Sequence, residues 1–184
     1  MDATTEEMIV IKDKTFKPLI DAKQIRERTS EVADAISADL AGRDPLVIAV
    51  LNGAFIFAAD LTRFLSFDPE IHFIKLASYH AMQSSGAVAE LIGLDESKVR
   101  GRDILIIEDI VDSGNTLAFL RKQLGEMGAE SIRIVAMLLK PNAFGNRFPV
   151  DYVCFEIPDA FVIGYGLDYD GYGRSLDGVY QLDA

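Results

Sequence analysis

The feature that constrains the fold most is a run of four aliphatic residues at positions 104–107, flanked by charged residues. Such a short apolar run is typical of a strand buried on both faces, as in a parallel sheet. Residues 46–51 have the same character, whereas residues 21–41 carry apolar side chains at the spacing of an amphipathic helix. Alternating strands and helices predict an α/β fold with a mostly parallel central sheet flanked by helices.

The other elements follow the same two patterns. Helices are predicted over residues 54–65 and 115–127, and strands over 71–76, 104–107, 132–139, 152–155, 161–163 and 179–180. No repeat or linker divides the 184 residues, a length that fits one domain with or without a small lobe.

The charge balance narrows the classes of partner. Eighteen basic and 29 acidic residues give a net charge of −11, which argues against a nucleic-acid-binding face. The single cysteine suits a reducing compartment, and the N-terminus lacks the pattern of a signal peptide. No apolar run approaches the roughly 20 residues of a membrane span. We therefore expect a cytoplasmic protein with no membrane or nucleic-acid partner.

Three carboxylates follow the central strand within five residues, at Glu108, Asp109 and Asp112. Ligands of parallel α/β sheets bind at the carboxyl ends of strands. Glu108 and Asp109 can accept hydrogen bonds from sugar hydroxyls and face a divalent cation. A carboxylate beside a phosphate requires such a cation, for which oxygen ligands favour Mg²⁺.

A Ser-Gly-Asn-Thr turn at residues 113–116 follows the carboxylates and opens the next helix. The side chains of Ser113 and Thr116 and the free N–H groups of the helix start form a cradle for a phosphate monoester. Gly114 allows the backbone to approach the phosphate closely. The sequence therefore predicts a phosphorylated sugar ligand with Mg²⁺.

Residues 104–117 resemble the phosphoribosyl-pyrophosphate (PRPP) motif of type I phosphoribosyltransferases, most of all in the hypoxanthine/guanine branch. Three other segments resemble that family's pyrophosphate loop and its helix, its mobile lid, and its purine-binding carboxyl-terminal stretch: residues 50–61, 77–79, and 155–169 with Arg174. The resemblance implies a single domain over residues 1–184, with a core of about 21–160 and a small hood formed by about 1–20 and 161–184.

The resemblance also implies an activity. The enzyme would serve purine salvage, converting hypoxanthine and/or guanine plus PRPP into IMP or GMP plus pyrophosphate, with Mg²⁺ as cofactor. A homodimer or homotetramer is expected, because relatives in the family are dimers or tetramers.

Site residues carry over by position. Asp112 would be the catalytic proton acceptor near purine N7. PRPP and its ribose-5-phosphate would be bound by Glu108, Asp109, Asp112, Ser113, Gly114, Asn115 and Thr116. Pyrophosphate would be bound by Asn52, Gly53, Ser78, Tyr79 and Arg174, the loop at Asn52 often having a cis peptide in relatives. The purine would be bound by Lys140, Phe161, Val162 and Asp168, and the metal by Glu108, Asp109 and Asp168. Residues 78–93 are the candidate lid.

Two positions depart from the family, since Asn52 and Asn115 stand where many relatives have lysine. We expect function to be retained, because backbone N–H groups can bind the same anions. The alternatives are a xanthine-preferring transferase and a same-fold RNA-binding regulator, the latter disfavoured by the net charge. Lys140 argues against adenine as the substrate, because a lysine donor matches an oxo group and opposes an amino group. An unrelated Mg²⁺-dependent phosphatase or receiver domain would leave the other three segments unexplained.

Overall fold

The structure is a computed structural model that describes residues 8–75 and 94–183. Its strands are β1 (Ile9–Ile11), β2 (Lys14–Ile20), β3 (Leu46–Leu51), β4 (Glu70–Lys75), β5 (Asp103–Val111), β6 (Ser131–Leu139), β7 (Tyr152–Glu156), β8 (Val162–Ile163) and β9 (Val179–Leu182). Its helices are α1 (Ala22–Asp39), α2 (Phe55–Phe64), α3 (Glu96–Val99), α4 (Asn115–Glu126) and α5 (Pro141–Phe144).

Five parallel strands form the central sheet in the order β4-β3-β5-β6-β7. Side chains alternate along β5, so that Leu105 and Ile107 pack with residues of α1 and α2 on one face. Ile104 and Ile106 pack with residues of α4 on the other face. Both faces are therefore buried under helices, and the predicted α/β fold with a flanked parallel sheet is confirmed.

The two ends of the chain meet in a separate four-stranded antiparallel sheet, in the order β1-β2-β9-β8. Ile20, Val162 and Val179 of this sheet belong to the same core cluster as residues of α1, α2 and β5, which ties the sheet to the rest of the molecule. This sheet confirms the predicted hood from the N- and C-terminal segments. The boundaries of core and hood at about residues 20 and 160 stay a prediction.

Helix α1 begins where the sequence places a capping residue. The Asp21 carboxylate accepts a hydrogen bond from the Gln24 backbone N–H (2.8 Å), and the Gln24 side chain accepts one from the Asp21 N–H (3.0 Å). This reciprocal pair satisfies two N–H groups that the helix cannot pair itself.

The central strand is longer than the predicted 104–107, because β6 continues beside it and pairs as far as Val111 with Leu139. Glu108 and Asp109 therefore lie within β5 and not beyond its end. Phe161, predicted within a strand, precedes β8 by one residue. No helix within residues 8–75 and 94–183 is both long and apolar enough to cross a membrane.

Candidate active site

Glu108 is a buried carboxylate near the carboxyl end of β5, with 8% of its surface exposed. Its Oε2 atom has no hydrogen-bond partner among the described residues. Burial raises its pKa well above the ordinary value, and the charge of Asp109 raises it further. An unpartnered buried acceptor is costly, so Glu108 points to a ligand that supplies a donor or a cation.

Asp109 is the second carboxylate of this strand. Burial raises its pKa to about 6, although the Ile110 N–H donates to Oδ1 at 3.0 Å and lowers it. A Cβ atom at position 53 would lie 1.4 Å from Asp109 Oδ2, so only glycine can bring this loop so close. The loop after β3 is thereby packed directly against the carboxylate.

The loop after β3 also meets the carboxyl-terminal stretch. The Leu51–Asn52 peptide is cis, as the family resemblance predicts, and the Gly53 carbonyl lies against Gly166. Arg174 donates to the Gly166 carbonyl (2.6 Å) and pairs with Asp168 (Nη2–Oδ1 2.6 Å). The fold therefore gathers Asn52, Gly53, Asp109, Asp168 and Arg174, which lie far apart in sequence.

The turn between β5 and α4 is the predicted phosphate cradle, residues 113–116. A cavity of about 90 Å³ is lined by Glu108 and residues 110–117. Gly114 has the left-handed φ of 72°, and a Cβ there would lie 2.6 Å from the Phe144 ring. No side chain among residues 8–75 and 94–183 caps α4, so the N–H groups of its first turn are available to an anion.

Lys140 follows β6, beside the end of β5. Its backbone N–H donates to the Val111 carbonyl (2.9 Å), and its Nζ lies 2.9 Å from Asp112 Oδ2. The lysine side chain is 13% exposed and that of Asp112 is 55% exposed. A cation and a carboxylate are thus presented side by side, next to the cradle.

The predicted purine-stacking residue, Phe161, lies directly before β8 with 45% of its surface exposed. Its ring packs edge-on against Tyr169, with 5.9 Å between centroids, and against Phe16 at 6.3 Å. Val162 is buried beside it. Ser78, Tyr79 and the candidate lid 78–93 lie outside the described residues.

The predicted metal ligands offer oxygen atoms suited to a hard cation. Glu108 and Asp109 are buried and short of donors, which fits them to Mg²⁺, whereas Asp168 is engaged by Arg174 and the Gly171 N–H. Within residues 8–75 and 94–183, no three His, Cys, Asp or Glu side chains converge on one point. A bound ion would therefore complete its coordination with substrate and water oxygens.

The sequence did not single out Arg147. Its Nη1 atom donates to the Ser113 carbonyl at 2.8 Å and to Asn115 Oδ1 at 2.5 Å, so it reaches the cradle from the loop after α5. The contact spans more than 30 residues of sequence, and no local motif marks a lone arginine in a polar loop.

Comparison with known proteins decides the family, because residues 19–170 match the phosphoribosyl transferase domain. The chain belongs to the phosphoribosyltransferases. It is 42% identical over 168 residues to the hypoxanthine-guanine phosphoribosyltransferase of Bacillus subtilis, covering 91% of this chain and 93% of that one. Its identity to the enzyme of the same name from Mycobacterium avium is 39% over 171 residues, covering 90% and 84%.

Solved structures agree. The hypoxanthine-guanine phosphoribosyltransferase of Bacillus anthracis superposes with a TM-score of 0.81 at 35% identity, covering 91% of this chain and 96% of that one. A variant of the Trypanosoma cruzi hypoxanthine phosphoribosyltransferase, in a ternary complex with substrates, gives 0.82 at 35% identity, covering 90% and 94%. These relatives confirm the predicted hypoxanthine/guanine branch, and the chain is a phosphoribosyltransferase enzyme.

Proposed function

We propose that this enzyme transfers the phosphoribosyl group of PRPP to hypoxanthine and/or guanine, releasing pyrophosphate and forming IMP or GMP with Mg²⁺ as cofactor. The observation that carries the proposal is the pairing of Lys140 with Asp112 at 2.9 Å, beside the phosphate cradle. The names of the relatives support the same two bases.

The Lys140–Asp112 pair matches one edge of a 6-oxopurine, on which O6 and N7 are neighbours. The Lys140 ammonium has only donors, so it binds the oxo group and opposes the amino group of adenine. The Asp112 carboxylate accepts the N7 proton as N9 forms its bond to ribose C1. The bond from C1 to pyrophosphate oxygen breaks, and its electron pair leaves with pyrophosphate.

Other residues bind the parts of PRPP. Glu108 and Asp109 accept hydrogen bonds from the ribose hydroxyls, which gives the unpartnered Oε2 atom of Glu108 a donor. Arg174 and the backbone of the loop at Asn52 and Gly53 hold pyrophosphate. Glu108, Asp109 and Asp168 are the proposed ligands of Mg²⁺, each acting together with substrate and water oxygens, and Mg²⁺ would stabilise the negative charge that develops on the leaving group.

The purine base would be bound by residues at the start of the carboxyl-terminal stretch. The exposed ring of Phe161 stacks on the purine, while the backbone of Val162 supplies polar contacts. Ser78 and Tyr79, which lie outside the described residues, are proposed as further ligands of pyrophosphate.

The test is PRPP consumption measured with hypoxanthine, guanine, xanthine and adenine in turn. Turnover with the first two is expected, and adenine should be rejected by about 10⁴–10⁵-fold, because two donors would face each other. Preference for xanthine would establish the alternative substrate. Use of adenine within tenfold of hypoxanthine would contradict the proposal.

Substitution of the lysine separates its role from general charge. Lys140→Gln should relax selectivity, because an amide both donates and accepts. Lys122→Gln is the matched control, since Lys122 lies on α4 with a 71% exposed side chain. If Lys140→Gln changes turnover of neither hypoxanthine nor adenine, another residue recognises the group at position 6 of the purine.

We further propose that the enzyme acts in the cytoplasm as a homodimer or homotetramer. Exposed apolar side chains on α2 and the edge strand β4 support self-association: Phe55, Ile71 and Phe73 are 42%, 39% and 52% exposed. Light scattering of the purified chain tests this, and a monomer at micromolar concentration would contradict it.

A further inference from the structure

Arg147 contacts the phosphate cradle without belonging to the motif that forms it. One nitrogen, Nη1, donates both to the Ser113 carbonyl (2.8 Å) and to the side-chain oxygen of Asn115 (2.5 Å). Two donors of the guanidinium are thereby fixed on the first and third residues of the cradle. The charge is brought to the turn where α4 begins.

The loop that carries Arg147 is packed onto the same turn. The rings of Phe144 and Phe148 meet edge to face, with 4.9 Å between centroids. A Cβ at Gly114 would lie 2.6 Å from Phe144 and 3.3 Å from Phe148. The Arg121 guanidinium covers the other ring at 4.9 Å from the Phe148 centroid. Aromatic packing therefore fixes the backbone on both sides of the Arg147–cradle contact.

The charges around the cradle leave a role for this arginine. Residues 108–117 contain three carboxylates and no lysine or arginine. Across residues 8–75 and 94–183, no carboxylate lies within ion-pair distance of Arg147. Within the same ranges its Nε and Nη2 atoms have no hydrogen-bond partner, so three of its five donors are not used by the described residues.

We propose that Arg147 is a binding residue for the 5′-phosphate of PRPP and of the nucleotide product. A guanidinium suits this task because its fork of donors matches phosphate oxygens. It supplies the positive charge that Asn115 does not. The proposal rests on the proposed function, since it names a further ligand of the same phosphate.

The experiment compares ligands with and without the phosphate. Calorimetry of the full chain with GMP, guanosine and pyrophosphate is done for wild type, Arg147→Met and Arg147→Lys. Affinity of Arg147→Met for GMP should fall by about tenfold to a hundredfold, the usual worth of a charged hydrogen bond. Affinity for guanosine and pyrophosphate should stay within twofold, and Arg147→Lys should lose less GMP affinity than Arg147→Met, because it keeps the charge and loses only the fork of donors.

Two further variants separate a phosphate ligand from a structural clamp. Arg121→Met removes the same charge from a neighbouring position on α4 and should leave GMP affinity within twofold. Adding Asn115→Lys to Arg147→Met should restore most of the lost affinity, because the new ammonium stands within the cradle. If Arg147 only orders the turn at Ser113, a lysine at position 115 would not restore the GMP affinity.

Each outcome has one meaning. If wild type binds GMP and Arg147→Met binds it equally well, the role of Arg147 is overturned and the proposed function stands. The same holds if guanosine affinity falls as much as GMP affinity, or if the lysine restores nothing. If wild-type protein binds no GMP and turns over no purine, the proposed function itself fails.

Discussion

The two ends of β5 both carry carboxylates, but in opposite surroundings. Near its start, Asp103 accepts hydrogen bonds from Arg43 Nη1 (2.9 and 3.0 Å) and from Ser131. The Ser131 bond and the Arg43 guanidinium lower the pKa of Asp103, although burial opposes them. Toward its end, Glu108 is more deeply buried, has an oxygen without a described partner, and has a raised pKa.

The neighbouring strand shows the same contrast at its start. Glu70 of β4 is bound by Arg102, by Lys98 (2.9 Å) and by His72 (3.0 Å). These partners lower its pKa to about 2, the Arg102 bond most of all. Paired charges at the amino ends of these strands favour the folded chain. Unpaired carboxylates at the carboxyl end of β5 are kept against stability, which indicates a ligand that completes them.

The largest expected effect is that of metal removal on the carboxylates at the carboxyl end of β5. With a chelator, transferase activity should vanish and return with Mg²⁺ or Mn²⁺, because Glu108 and Asp109 need a cation beside pyrophosphate. The paired carboxylates at the amino ends of the strands need no cation, since their partners are arginine, lysine, serine and histidine side chains. Full turnover in chelator would contradict the roles assigned to these carboxylates.

Next in size is Asp112→Asn, which keeps the shape of the side chain and removes the proton acceptor. The expected fall in kcat is roughly 10–10³-fold with little change in PRPP affinity. Single-turnover kinetics are the measurement, because slow product release would mask the effect. Asp103→Asn, at the far end of β5, is the counterpart and should leave kcat per folded molecule unchanged.

A smaller effect is expected on the free energy of unfolding, and at Glu108 its sign is opposite to that of most buried substitutions. Glu108→Gln removes an ionisable group whose charged form burial disfavours, so the free energy of unfolding at alkaline pH should rise by about 1 kcal/mol while activity falls. Asp103→Asn breaks a paired charge and should lower the same quantity by about 1–2 kcal/mol. Denaturant titration measures both. Equal losses of stability in the two variants would contradict the difference drawn between the two ends of β5.

The smallest effect is the pH dependence contributed by Glu70. Its folded pKa of about 2 lies below the ordinary 4.5, so its stabilising contribution is present above about pH 4.5 and is lost toward pH 2. The difference in unfolding free energy between wild type and Glu70→Gln should therefore narrow as pH falls through this window. Glu126→Gln, on α4, is the control. A difference that stays constant with pH would contradict the pairing.

Some of this contrast could be predicted from sequence alone. The apolar runs at 46–51 and 104–107 were sufficient for buried parallel strands, because only a sheet covered on both faces buries them fully. The carboxylates and the cradle could be found for a similar reason. They are contiguous from Glu108 to Thr116, so one strand, one turn and one helix start hold them all.

The tertiary structure alone decided which distant groups meet. Lys140 reaches Asp112 because β6 pairs with β5 in a register that sets Leu139 beside Val111. Gly53 packs on Asp109 because β3 and β5 are neighbours in the sheet. Arg147 reaches Ser113 through the packing of Phe144 and Phe148 on Gly114. Local periodicity determines which segments become strands and helices. Register and side-chain packing act across the chain, and only they determine which charges are paired and which remain for a ligand.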